Sequence, residues 1–144
     1  MNQGIRLIAL LFGILFFPLA IAAPQSPTGN WTTIDDKTGK KRAVVRLEVV
    51  INSLTGTIVS VFPQPGDTGM CGKCAGPLKN KPIEGLQILW GLKDKGDGVW
   101  SGGQILDPKT GKIYRAKLTI KGSKLYVRGY VGLSMLGRTQ IWKR

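Results

Sequence analysis

Residues 42–51 read RAVVRLEVVI. Ala43, Val45, Leu47, Val49 and Ile51 share one parity, while Arg46 and Glu48 take the other. Successive side chains of a β-strand point to opposite faces, so this spacing predicts a strand with one face in a core and one in water. Similar stretches flank it: NWTTID (30–35), LTGTIVSVF (54–62), GLQILWGLK (85–93), VWSGGQILD (99–107), KIYRAKLTI (112–120), KLYVRGYV (124–131) and RTQIWK (138–143). Plain alternation puts Leu86, Ile88, Trp90 and Leu92 on one face, and Tyr114, Ala116, Leu118 and Ile120 on another. About eight strands at even spacing, with turn residues between them, mark an all-β barrel or sandwich. No amphipathic helix interrupts the series.

The turns carry their own pattern. D-x-K-T-G-K occurs at 35–40 and again at 107–112. Asp can open a turn by accepting bonds from the backbone just after it, and Gly39 and Gly111 supply a positive φ. A phosphate-binding P-loop needs an earlier glycine and a following helix, and neither copy has them.

Upstream of the strands the chain opens MNQGIRLIALLFGILFFPLAIAAPQSP. Arg6, the apolar run Leu7 to Ile21 and the small residues of Ala20-Ile21-Ala22 follow the order of a secretory signal peptide. The alternative is an uncleaved membrane anchor, which Pro18 would interrupt. The expected organisation is a signal peptide over 1–22, a short segment over 23–28 and a single barrel domain over 29–144, with no membrane span after processing. The expected location is periplasmic or extracellular.

The chain has 21 Lys and Arg against 8 Asp and Glu, a net charge of +13. Such a balance attracts polyanions, and export points to an envelope polyanion rather than nucleic acid. If the strands run up and down, alternate connections gather at one end, with Lys37, Lys40, Lys41, Arg42, Lys73, Lys79, Lys81, Lys109 and Lys112. Long loops on a rigid scaffold are the usual seat of function.

Cys71 and Cys74 are the two cysteines of the chain. An oxidising compartment favours a structural disulfide; a redox couple and a metal site are the alternatives. Zinc wants about four ligands, and the chain holds no histidine. Haem attachment reads C-x-x-C-H, and Ala75 stands where the histidine belongs. A thioredoxin-like couple needs a helix start, and Gly72, Gly76 and Pro77 surround this pair. No metal or other cofactor is expected.

An eight-stranded barrel is wide enough either to be filled by side chains or to hold one small ligand. Val45, Leu86, Gln104 and Tyr114 are expected to point inward near the loop-rich end, with Trp90 and Trp100 deeper. Gln104, Tyr114 and Arg138 would supply polar groups to a small apolar or amphipathic ligand. Catalysis is not expected: no histidine is present to act as a base, and neither Glu48 nor Glu84 has an acidic partner in the pattern.

Gly29-Asn30-Trp31 resembles the G-x-W signature that opens lipocalin barrels. In lipocalins a basic residue after the last strand packs on that Trp, and Arg144, following Trp142, matches it. A guanidinium over an indole is a favourable contact. The longer stretches WSGGQILDPKTGK (100–112) and RGYVGLSMLGRTQIW (128–142), with CGKCAG (71–76) and Pro77, look like a family of small secreted bacterial proteins of unknown function. That resemblance implies a small lipocalin-like barrel of eight up-and-down antiparallel strands and an exported protein. It implies no catalytic residues.

Overall fold

The computed structural model describes residues 13–20 and 25–144. The predicted cleavage point after Ala22, and most of the predicted signal peptide, lie outside those residues. Residues 13–20 form no helix or strand, and Ile14, Leu15, Phe16, Phe17 and Leu19 are 80–91% exposed.

Eight strands follow in chain order: β1 (Gly29–Ile34), β2 (Lys41–Val50), β3 (Ser53–Val61), β4 (Gln87–Asp94), β5 (Val99–Asp107), β6 (Lys112–Lys121), β7 (Lys124–Tyr130) and β8 (Arg138–Lys143). Each pairs antiparallel with its neighbours, and β8 returns to β1 through Thr32 and Lys143, so the sheet closes into an up-and-down barrel. Single turns of 3-10 helix at Gly76–Leu78 and Ser134–Leu136 sit in the two longest connections. The two D-x-K-T-G-K stretches form the β1–β2 and β5–β6 turns. Asp35 Oδ1 accepts the N–H groups of Lys37 and Thr38, and Asp107 Oδ1 that of Lys109, all at 2.9 Å.

The core follows the alternation of β2. Ala43, Val45 and Leu47 point inward opposite Thr33, Trp31 and Gly29. Val49 shares that parity but lies past the packed layers, 45% exposed, and Ile51 falls in the turn. The lower and middle barrel is filled: Trp31, Val45, Leu47, Leu54, Leu89, Leu92, Leu118 and Leu125 have no exposed surface. Inward glycines make room for these side chains. A Cβ on Gly56 would stand 2.8 Å from Leu47 Cδ2 and 3.1 Å from Leu89 Cβ.

Plain alternation fails in β4 and β5. The register between β3 and β4 slips twice, between Leu54 and Gly56 and between Gly56 and Thr57. A bulge inserts one residue and flips everything beyond it to the other face. The inward residues of this segment are therefore Leu86, Leu89 and Leu92, three apart rather than two. In β5 a further slip between Ser101 and Gly103 leaves Trp100 inward, opposite Leu118, and turns Gln104 outward. Trp90 and Gln104, expected inside, stand opposite each other on the outer wall, where the Trp90 indole N–H donates to Gln104 Oε1 at 3.1 Å. Gly91 and Gly102, with φ of 76° and 81°, provide the backbone conformation that the bulges require.

Candidate functional site

The two ends of the barrel differ. At one end the segment 25–28 crosses the opening beneath β1. Trp31 Nε1 donates to the carbonyl of Pro27 at 2.7 Å, and Arg144 donates to the carbonyls of Ser26 and Thr28 at 3.0 and 3.5 Å. The Arg144 guanidinium lies 4.2 Å from the centre of the Trp31 ring. Gln25 Oε1 accepts the N–H of Gly122 at 2.8 Å, tying the same segment to the β6–β7 turn. This end is closed by packing, with Trp142 and Leu125 buried behind it. Gly29 sits at the start of β1 with a φ of 114°.

The opposite end carries the β1–β2, β3–β4, β5–β6 and β7–β8 connections. Its inner layer is only partly shielded. Leu86 is buried, but Ile105 and Tyr114 are half-exposed, and they flank Gly129, whose Cβ would stand 3.5 Å from a side-chain atom of each. Arg138 shares their parity and is held at the rim by Asp36, beside the β1–β8 seam, its Nε donating to Asp36 Oδ2 at 2.7 Å. That bond holds the Asp36 carboxyl below the usual carboxylate range and raises Arg138. Backbone N–H donation from Thr38 and Lys37 lowers Asp35 in the same way, and donation from Gln64 lowers Asp67. A second ion pair, Arg42 with Asp67 at 3.2 Å, ties the β3–β4 connection to β2.

The expected ligand-binding residues divide three ways. Leu86, Tyr114 and Arg138 line the loop-rich mouth. Val45 lies below them in the filled middle, and Trp100 faces inward toward the closed end. Trp90 and Gln104 are on the outer wall and do not join them.

Cys71 and Cys74 form a disulfide. They are 0% and 3% exposed. Their loop is a compact unit: Cys71 N–H donates to Lys81 O at 2.8 Å, and Asn80 N–H to Cys71 O at 2.9 Å. It folds against the β5–β6 turn, with Cys71 Sγ 3.6 Å from the carbonyl oxygen of Pro108. A bridged sulfur has no proton to donate, so this is a packing contact. The loop thereby shields Ile88 and Leu106, outward by parity yet only 5% and 2% exposed. Thiol exchange requires an attacking thiolate to reach a sulfur, which this burial opposes.

One feature of the mouth lies outside the residues that strand alternation singles out. The β7–β8 connection presents Val131, Leu133, Met135 and Leu136 at 65–75% exposure. The visible sign was an apolar run between two strands where turn residues belong. Among the described residues no group of His, Cys, Asp and Glu is placed to hold a metal, and no helix is long and apolar enough to cross a membrane.

A closed eight-stranded barrel with a Trp–Arg latch at its base is a small lipocalin-like protein. Its similarity to a solved structure agrees: the chain aligns with one described as "Protein HP1028 from the human pathogen Helicobacter pylori belongs to the lipocalin family", with a TM-score of 0.70, 20% identity and 81% of each chain covered. Residues 29–144 match the family described as "Uncharacterized protein conserved in bacteria (DUF2147)", and the chain belongs to that family. Comparison with curated proteins finds no match.

Proposed function

We propose that this chain is an exported binding module that takes a small apolar or amphipathic ligand at its loop-rich rim. The carrying observation is the exposed set Val131, Leu133, Met135 and Leu136 beside the half-exposed layer of Ile105 and Tyr114. Exposed large apolar groups gathered at one place mark interaction sites. The filled middle limits how deep a ligand reaches, so it is gripped at the mouth. Export is supported by the form of the leader and by the exposed apolar side chains of residues 13–20. The reading is of a non-catalytic protein, since the chain has no histidine and its acids near the mouth serve turns and ion pairs.

The test uses Nile red, a neutral apolar dye, with a chain lacking residues 1–22. Saturable fluorescence enhancement that falls at least about fivefold in affinity in Leu133→Ser/Leu136→Ser supports the rim site; losing two buried apolar contacts predicts that scale. Native mass spectrometry of the exported protein then identifies a retained lipid-sized mass. Absence of dye binding, or equal binding by the variant, overturns the reading.

A further inference from the structure

All 8 acidic residues of the chain fall between Asp35 and Asp107, and residues 108–144 contain none. That acid-free segment carries ten Lys and Arg and supplies β6, β7 and β8, three neighbours in the barrel. Strand parity sends Arg115, Lys117 and Lys121 of β6 outward, with Lys124 and Arg128 of β7. Lys117 stands directly opposite Arg128, Lys121 opposite Lys124, and Lys124 opposite Lys143. Like charges directly across a strand pair are destabilising, and folding of the barrel does not require them.

Between these strands the outer wall forms an open groove of about 210 Å³, lined by Lys117, Thr119, Lys121, Tyr126, Arg128 and Thr139. Its charges are positioned. Arg128 Nη1 donates to Thr139 Oγ1 at 2.8 Å and Nη2 to the carbonyl of Met135 at 3.0 Å, fixing the guanidinium at one edge. The Lys121 ammonium lies 5.2 Å from the centre of the Tyr126 ring. Lys117 is half-buried and stands opposite Arg128. On β5, the outward neighbours of Lys117 and Arg115 are Ser101 and Gln104, so no carboxylate faces the groove from that side either. Three cations and three hydroxyl groups around one concavity, without an acid, match a tetrahedral oxyanion with several acceptor oxygens.

We propose that this outer-wall groove binds phosphate groups. It lies on the outer wall below the apolar rim and meets it through the bond from Arg128 to the Met135 carbonyl, while its other lining residues belong to the strands, so it stands whether or not the rim takes a ligand. Arg128 supplies charge at a fixed point, while Lys117, Lys121 and the hydroxyls donate to the phosphate oxygens. Two sources share that chemistry: soluble phosphate esters and the headgroups of anionic lipids.

The probe is inorganic pyrophosphate, titrated into the isotope-labelled protein at constant ionic strength. Saturable amide shifts are expected at Lys117, Thr119, Lys121, Tyr126, Arg128 and Thr139. Lys117→Gln/Lys121→Gln should weaken binding roughly tenfold, the scale of losing charge-assisted hydrogen bonds. Lys79→Gln/Lys81→Gln, with the same change in net charge on the cysteine loop, should stay within about twofold. Vesicles of phosphatidylglycerol, compared with phosphatidylcholine, identify the source. Capture by the former that the groove variant loses assigns lipid headgroups, whereas pyrophosphate binding without vesicle capture assigns soluble phosphate. Equal weakening in both double variants would reduce the effect to net charge and overturn the site, as would shifts confined to the basic loops or no saturation.

Discussion

Asp36 and Arg138 are 102 positions apart in the chain, yet they share one bidentate contact at the rim, where β8 closes on β1. The carboxyl of Asp36 is held below its ordinary range by that donor, Asp35 by the N–H groups of Thr38 and Lys37, and Asp67 by that of Gln64. A carboxyl whose folded pKa is depressed stabilises the fold above its unfolded pKa of about 3.9, and that contribution disappears as pH falls through the folded value. All three groups sit at the loop-rich end. The closed end is held instead by Arg144 over Trp31 and by bonds to backbone carbonyls, with no side-chain carboxylate among those contacts. Acidification from pH 5 toward 2 should therefore loosen one end first. Amide resonances of residues 35–40 and 138 should shift or broaden before those of 25–31, and Asp36→Asn should abolish the early transition at Arg138. Simultaneous loss at both ends would show that these contacts do not hold the mouth. The roles of single residues were unevenly legible. Asp35 and Asp107 announce their turns because the bond they accept is local, whereas the Asp36–Arg138 pair depends on barrel closure and leaves no local mark.

β4 and β5 show how an element's pattern misleads. The strands were readable from β-branched and aromatic runs between turn residues, and their bounds lie within about two residues of those expected. Their faces were not, because a bulge leaves composition unchanged and inverts parity. The sign was present in Gly91 and the Gly102-Gly103 pair, since glycine inside a strand suggests a bulge or a close backbone approach. Missing that sign is what placed Trp90 and Gln104 inside. The two adjacent glycines serve different ends, and substitution separates them. Gly102 has a φ of 81° with open space around it, so Gly102→Ala should cost about 1–2 kcal/mol of backbone strain. A Cβ on Gly103 would stand 2.3 Å from the carbonyl oxygen of Trp90 and 2.5 Å from the nitrogen of Leu92. Backbone on the facing strand cannot swing aside, so Gly103→Ala should cost about 3 kcal/mol or more. Urea unfolding of the two variants checks the order, and an equal or reversed order would contradict the bulge geometry.

At the scale of the whole molecule, the barrel is a filled cylinder, latched at its base and only partly shielded at its loop-rich end, and what closes the base lies partly upstream of the family match. That match begins at Gly29, but the acceptors used by Trp31 and Arg144 belong to Ser26, Pro27 and Thr28. Gln25 adds a bond to the β6–β7 turn. The folding unit therefore starts near residue 25. Cleavage at the point expected from the sequence, after Ala22, would leave the strap whole, so a chain beginning at Ala23 should unfold at the same urea concentration as the full chain. A chain beginning at Gly29 keeps every strand but leaves the indole N–H of Trp31 without its acceptor, in a side chain with no exposed surface. An unpaired buried donor costs about 1–3 kcal/mol. Loss of the carbonyls that orient Arg144 weakens its contact with the ring as well, by about 0.5–1 kcal/mol. The shorter chain should thus lose about 2–3 kcal/mol, and Arg144→Ala should cost it less than it costs the chain beginning at Ala23, because the strap and the arginine act together. Equal stability of the two chains would mean that the strap merely rests on the barrel and that the strands alone close its base.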